Sequence, residues 1–474
     1  MNKLSKYPSY KITSETWIQE IPEHWSVFRL KHVFGITKRI VGEIGHDVLS
    51  ITQKGIKVKD TESGAGQLSM DYSKYQQVDQ GDFGMNHMDL LTGFVDISKF
   101  DGVISPDYRV FKLSHSESDA QFLLYILQLS YTQRIFFKHG KGVSMLGRWR
   151  LPAENFKNFL IPVPPKAEQI KIAAFLDYKL AKIDRFIRKK KQLIKLLNEQ
   201  KAAIINQAVT KGLDPNANMI PSGIDWLGHI PEHWETTNLR GLCGFVRGNS
   251  SFKKDELVSE GKYVALQYGK TYKVDEVDEN YKFFVNDEFY KDSQVVNYDD
   301  VIIISTSETI EDLGHSAYYN RYDVGLLGGE QILLKPKKVV NGKYLFYISK
   351  IFTKELRKYA TGVKVFRFNI NDLKTIYSPI PILSEQKQIV SYIEQESKTI
   401  NTTISKIVKE ITLTQEYKTT LIAEAVTGKI DVRDFEIPKT PVEDPDNFQD
   451  LDLEEELSEA AEYEAEYQNE AMEE

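Results

Sequence analysis

The residues best equipped for chemistry sit in short, donor-rich stretches. These are Lys138-His139-Gly140-Lys141-Gly142 followed by Arg148-Trp149-Arg150, Thr361-Gly362-Val363-Lys364-Val365-Phe366-Arg367, Gln267-Tyr268-Gly269-Lys270-Thr271-Tyr272-Lys273, and the pairs Asn86-His87 and Tyr108-Arg109. Arg, Lys, Asn and Gln in poorly periodic segments are the groups that donate to base edges, whereas a phosphate needs only positive charge. The same residue types also cover ordinary solvated loops, so composition leaves both readings open. The candidate contacts are Lys138, Lys141, Arg148, Trp149, Arg150, Asn86, His87, Tyr108, Arg109, Gln267, Tyr268, Lys270, Tyr272, Lys273, Lys364 and Arg367. Gly81-Asp82 reads instead as a turn into a strand.

Two catalytic or metal patterns fail on spacing. Gly269-Lys270-Thr271 has the end of a phosphate-binding loop, but the first glycine of that loop would fall at Val264, so the backbone cradle is missing. His229 and His233 have the spacing of helical metal ligands, yet Pro231 lies between them and the related segment has Glu20 in place of His229. Cys243 is the one cysteine of 474 residues, which excludes an internal disulfide or a thiolate metal site. The expected cofactors of this chain are none, and the expected metals none.

The elements that hold the donor-rich stretches follow from self-comparison. Trp17 and Ile21-Pro22-Glu23-His24-Trp25 recur at an offset of 209 as Trp226 and Ile230-Pro231-Glu232-His233-Trp234. Near the ends the offset is 217: Glu168-Gln169 matches Glu385-Gln386, and Ala208-Val209-Thr210 matches Ala425-Val426-Thr427. The middles barely match, so two similar frames enclose two divergent inserts. Each copy closes on a helical pattern. Leu176, Leu180, Ile183, Ile187, Ile194, Leu197, Ile204 and Ala208 keep alternating spacings of four and three, as do Ile393, Ile400, Ile404, Ile407, Ile411, Leu421 and Ala425. Gly212 and Gly428 stop these helices, each roughly 65 Å long at about 1.5 Å per residue. Two such rods in one chain pair most simply with each other.

The inserts show short alternating runs such as Tyr108–Leu113 and Gln331–Lys335, and amphipathic helices near Gln121–Arg134 and Gly342–Tyr359. The fold class expected is α+β: two pseudo-repeated globular α+β domains, two long antiparallel coiled-coil helices and an acidic C-terminal tail, disordered or weakly helical. The expected boundaries are 1–25 for an N-terminal segment, 26–165 for the first domain and 166–212 for the first helix. A linker with the repeated motif follows at 213–235, then the second domain at 236–383, the second helix at 384–428 and a terminal segment with the tail at 429–474.

Charge divides sharply along the chain. Residues 441–474 carry 15 Asp and Glu and no Lys or Arg, so removing them from the net −7 leaves +8 for residues 1–440. A mildly basic body fits a polyanionic partner. Arg185, Arg188, Lys189, Lys190 and Lys191 concentrate that charge on the first helix, as a solvated face or as a phosphate or partner contact. The tail reads as a solubility device or as a mimic of phosphates. Apolar runs such as Val301–Ile304 are far too short to span a bilayer, and Met1–Tyr7 lacks a signal-peptide stretch, so a reducing cytoplasm is expected.

Gly81–Asp89, Gly102-Val103-Ile104-Ser105-Pro106-Asp107-Tyr108, Pro164-Pro165 with Ala167-Glu168-Gln169, and Leu383–Ile389, with the doubled Ile-Pro-Glu-His-Trp, resemble the specificity subunit of type I restriction-modification enzymes. The likeness runs from residue 7 to about residue 435; the acidic extension departs from it. The resemblance implies a non-catalytic subunit whose two target recognition domains each read half of a split double-stranded DNA sequence. It also implies two modification (methyltransferase) subunits using S-adenosylmethionine, and restriction subunits using Mg and ATP, as partners. The absence of an Asn/Asp-Pro-Pro-Tyr/Phe tetrad from this chain agrees with that division of labour. A single-chain restriction enzyme would need such a tetrad, and a purely structural coiled-coil adaptor gives no reason for two basic, divergent inserts.

Overall fold

The computed structural model describes residues 5–61, 69, 71–142, 149–362 and 364–438. Arg148, Val363 and the acidic tail lie outside these. The chain divides into two compact units, one formed by residues up to Lys191 together with those from Val408 on, the other by Gln192–Ile407. No helix among the described residues is long and apolar enough to cross a membrane.

In the first unit, β1 (Phe34–Thr37), β2 (Phe83–Met85), β3 (Val95–Ile97) and β4 (Arg109–Leu113) form an antiparallel sheet in the order β1-β4-β2-β3. Phe34, Phe83 and Phe111 are buried on it, their ring centroids 4.9, 4.9 and 5.2 Å apart. Helix α1 (Ala120–Thr132) starts where the Asp119 carboxylate accepts from the Phe122 amide at 2.9 Å, and buries Phe122, Leu123, Ile126 and Leu127. A second layer, the hairpin Leu49–Thr52/Gly55–Val58 and the pair Gln76–Val78/Gly102–Ile104, closes on Leu49, Ile56, Val78, Ile104 and Val110.

The second unit repeats the plan with other side chains. β5 (Cys243–Arg247), β6 (Val301–Ile304), β7 (Ser316–Tyr319) and β8 (Gln331–Pro336) lie in the order β5-β8-β6-β7, with Glu276–Val277 added beside β7. The run Val301-Ile302-Ile303-Ile304 is buried throughout because both faces of β6 are covered. Val301 and Ile303 join the core shared with helix α3 (Gly342–Leu356), while Ile302 packs with Val264, Leu266 and Leu327 of a second sheet. Asn341 caps α3, accepting from the Tyr344 amide at 2.9 Å.

The repeated frames fasten each insert at its ends. Ser26–Arg29 pairs with Leu160–Val163, and Glu235–Asn238 with Tyr377–Ile380. Helices α2 (Lys166–Lys211) and α4 (Leu383–Val426) follow directly. The Glu168 carboxylate accepts from Tyr7 Oη at 2.6 Å and Trp25 Nε1 at 3.0 Å, and lies 2.8 Å from His24 Nε2. In the second unit Glu385 accepts from Trp234 Nε1 at 3.0 Å and lies 3.0 Å from His233 Nε2. Gln169 donates to the carbonyls of Pro164 and Glu117 and accepts from the Asp119 amide; Gln386 does the same with Pro381, Val339 and Asn341. One Glu-Gln pair thus ties a long helix to the Ile-Pro-Glu-His-Trp motif and to the cap of α1 or α3. Gly428 ends α4 at φ +75°, where a Cβ would stand 2.4 Å from the Pro22 ring, so only glycine lets the helix end against that motif.

α2 and α4 run antiparallel. Asp184 meets Lys418 at 2.6 Å and Lys190 meets Glu410 at 2.7 Å in the first unit, and Lys201 meets Asn401 at 3.3 Å in the second. Most of the expected apolar seam is buried, from Leu176, Leu180, Ile183 and Ile187 to Ile393, Ile400, Ile407 and Leu421. The strict heptad is corrected at three places, the first being Leu197, which is only partly buried. Ile204 is only partly buried while its neighbour Ile205 is buried, and Ile404 is partly buried too, since a 3.6-residue helix drifts against a 3.5-residue repeat.

Candidate nucleic-acid interface

In the first unit the donor-rich stretch after α1 is a hairpin. The Lys141 amide donates to the Arg150 carbonyl at 2.8 Å and the Arg150 amide to the Lys141 carbonyl at 3.0 Å. Trp149 braces it, its ring 4.4 Å from Phe137 and so close to Gly142 that a Cβ there would stand 2.8 Å from the indole. The loop after β2 is laced to its base: the Leu90 amide donates to the Trp149 carbonyl and the Leu151 amide to the His87 carbonyl, both at 2.9 Å. Lys138, Lys141 and Arg150 are exposed on this hairpin and the turn before it.

The neighbouring candidates face inward. His87 is 6% exposed, and burial, with the charges of Arg109 and Arg150, pushes its imidazole down to about 3, so it is neutral at physiological pH. Arg109 is 5% exposed; its guanidinium lies 4.8 Å over the Phe156 ring and donates to the Leu151 carbonyl at 3.0 Å, and burial lowers it to about 10. Asn86 takes the Met88 amide on its side-chain carbonyl, and its backbone carbonyl accepts from Tyr131 Oη at 2.8 Å. Tyr108 is half-buried against the second layer. These side chains hold the loop from beneath, and His87 and Arg109 are buried, away from the surface that carries Lys138, Lys141 and Arg150.

The second unit builds the same hairpin. The Thr361 and Arg367 amides donate to each other's carbonyls at 2.9 Å, and Gly362 takes φ +116°, where a Cβ would meet the Val365 carbonyl at 2.0 Å. Phe366–Arg367 pairs with Thr306–Ser307, just beyond β6. The stretch from Gln267 reaches the same platform, since Tyr268 Oη donates to the Thr306 carbonyl at 3.1 Å. Gln267 donates to the Phe252 carbonyl at 2.9 Å, Tyr268 and Tyr272 stack at 6.2 Å, and the Lys270 ammonium lies 4.4 Å over Phe283. Lys273, Lys364 and Arg367 are exposed.

Candidates about sixty residues apart in sequence in the first unit, and about a hundred apart in the second, are therefore brought together. Thr306 and Ser307, which join them in the second, were absent from the sequence reading. Their only signal is a Ser-Thr-Ser run after a buried strand, and the work is done by backbone groups.

The histidines and the cysteine take structural places. His229 lies in a strand, not on a helix, and His233 pairs with Glu385. Cys243 is buried, which pushes its thiol up to about 12.

A family model described as "Type I restriction modification DNA specificity domain" matches residues 22–196 and 231–413. The MjaX type I restriction enzyme specificity subunit of Methanocaldococcus jannaschii is 27% identical over 442 residues, covering 88% of this chain and 96% of that protein. The EcoKI specificity subunit of Escherichia coli K12 is 22% identical over 207 residues, 43% of this chain and 44% of its own. A chain from a solved structure concerned with complex assembly and conformational transition of the type I R-M system has the same fold, with a TM-score of 0.63 at 16% identity, over 86% of this chain and 99% of that one.

Proposed function

Since this chain belongs to the type I restriction-modification DNA specificity family, we propose that each of its units reads one half of a bipartite double-stranded target through its hairpin and the loop laced to it. The chain is the DNA-binding specificity subunit of such a system and a non-catalytic component of its complex. The observation that carries the finer reading is the doubled hairpin. The same backbone device, mounted beside the second strand of each main sheet, presents Lys138, Lys141 and Arg150 in one unit and Lys273, Lys364 and Arg367 in the other. Equal scaffolds with unequal side chains suit two unequal half-sites. Trp149, Tyr268, Lys270 and Tyr272 shape the hairpin surroundings, and Gln267 fixes the turn.

The partners in this reading are two modification subunits that bind S-adenosylmethionine, and restriction subunits that use Mg and ATP, acting on DNA in the cytoplasm. The repeated frames offer them two equivalent docking surfaces. The domain boundaries 26–165 and 236–383 are the units of exchange, and the length of the paired helices is the ruler for the gap between half-sites.

The test is to exchange residues 26–165 for the corresponding insert of a relative and sequence the methylated host genome. One half of the methylated motif changes and the other stays. A motif altered in both halves overturns the modular reading.

A further inference from the structure

The outer face of α2 carries a stripe with its own chemistry. Phe175, Tyr178, Lys182, Phe186 and Lys189 follow spacings of three and four, with Lys179 next to Tyr178, and so line one side of the helix. That side is apart from the buried seam of Leu176, Leu180, Ile183 and Ile187, and from Asp184, which pairs with Lys418 of α4; Lys190, which pairs with Glu410, borders it, its ammonium 5.3 Å over the Phe186 ring. The upper part of the stripe is already covered by the chain's own C-terminal segment. Phe435 packs edge-on against Phe175, ring centroids 4.8 Å apart, and lies 6.0 Å from Tyr178, with the Lys179 ammonium 5.2 Å over its ring. Lys171 donates to the Arg433 carbonyl, and Arg433 is held by Asp431 at 2.7 Å and lies 5.0 Å over Tyr7.

Beyond Phe435 no other described segment covers the stripe, whose own lysines rest on its rings, Lys182 4.4 Å over Tyr178 and Lys190 5.3 Å over Phe186. Lys182 and Lys189 are exposed and Phe186, between them, is 42% exposed. From Tyr178 to Lys189 this is about 17 Å of helix, a distance that five or six extended residues cover. The chain that continues from Pro438 carries 15 carboxylates in residues 441–474, interleaved with Phe448, Leu451, Leu453, Leu457, Tyr463 and Tyr467. Carboxylates answer the lysines and apolar side chains answer the exposed part of Phe186; a nucleic-acid backbone would use the lysines alone.

We propose that residues 439–474 dock on the Lys182-Phe186-Lys189 stripe of the same molecule, continuing the contact that Phe435 begins and shielding this basic face from polyanions. The docking does not depend on which hairpin residues touch DNA.

Carbodiimide coupling of the full-length protein, which joins carboxylates to lysine amines at ion-pair distance, tests it, with isotopically heavy and light copies mixed before reaction. The expected products join tail carboxylates to Lys179, Lys182 or Lys189 within one isotopic species. Their yield falls severalfold at high salt and in Phe186→Glu, which keeps both lysines, with helicity by circular dichroism unchanged. Phe435→Ala gives the same loss from outside the stripe. Coupling chiefly to Lys138, Lys141 or Lys364, coupling between heavy and light copies, no coupling to α2, or a yield indifferent to both variants would each overturn the proposal.

Discussion

The two inserts share almost no sequence, yet their main sheets have the same strand order and the same turn into the second strand. Gly81 takes φ +92° before Asp82, and Asp299 takes φ +75° before Asp300. The left-handed position is kept although only one unit fills it with glycine. Both aspartates then meet a lysine from the neighbouring strand, Lys112 at 3.4 Å and Lys335 at 3.7 Å. The first unit adds Arg39, 2.6 Å from both Asp79 and Asp82. What separates the units is how many charges are assembled on one backbone plan, and this decides where each is fragile.

The largest expected difference lies at the helix anchors. Glu168→Ala leaves two buried donors, Tyr7 Oη and Trp25 Nε1, without their acceptor, and costs about 4 kcal/mol at roughly 2 kcal/mol per orphaned group. Glu385→Ala orphans Trp234 Nε1, while the more exposed His233 turns to water, and costs about 2 kcal/mol. Urea unfolding of the two full-length variants measures both losses. Equal losses would break the asymmetry.

The frames were legible in the sequence because the motif and the heptads are side-chain patterns, and both long helices end at the glycines that were read as stops. The purpose of Ile-Pro-Glu-His-Trp was not legible, since its partner Glu lies about 150 residues away. The strand order of the inserts escaped because backbone register, which any β-compatible residue satisfies, stores it. Arg109 looks like a contact in the sequence because arginine donates to base edges, and only tertiary structure shows it over Phe156. That placement sharpens the comparison of interior with surface. Arg109→Met leaves the Leu151 carbonyl unpaired and lowers the stability of the first unit by about 2 kcal/mol, while the salt dependence of DNA binding by the assembled complex is unchanged. A reduced salt slope in this variant would return Arg109 to the interface.

The hairpins themselves should behave alike. Lys141→Ala with Arg150→Ala, and Lys364→Ala with Arg367→Ala, each remove two exposed cations, so each pair flattens the plot of log affinity against log salt by about two, with no loss of fold. Binding titrations across a salt series decide it. A slope changed by only one of the two pairs would mean that one hairpin lies off the duplex.

The smallest effect has opposite signs in the two units. His87 is held near 3 in the folded first unit against an ordinary 6.5. Below about pH 6.5 the unfolded chain therefore takes up a proton that the folded one refuses, and stability present above that pH is lost. Asp300 is raised by burial to about 6 from 3.8. Between those values the folded second unit keeps a proton the unfolded chain has released, so its stability is higher in acid and falls as pH rises through 6. From pH 7 to pH 5 the first unit loses and the second gains, each on the order of 1 kcal/mol. Hydrogen exchange of the β2 and β6 amides, corrected for intrinsic rates, should diverge over this range. His87→Phe removes the slope of β2 and Asp300→Asn that of β6. Parallel shifts in both strands, surviving both substitutions, would show that neither buried group sets the acid response, leaving the shared frame as its source.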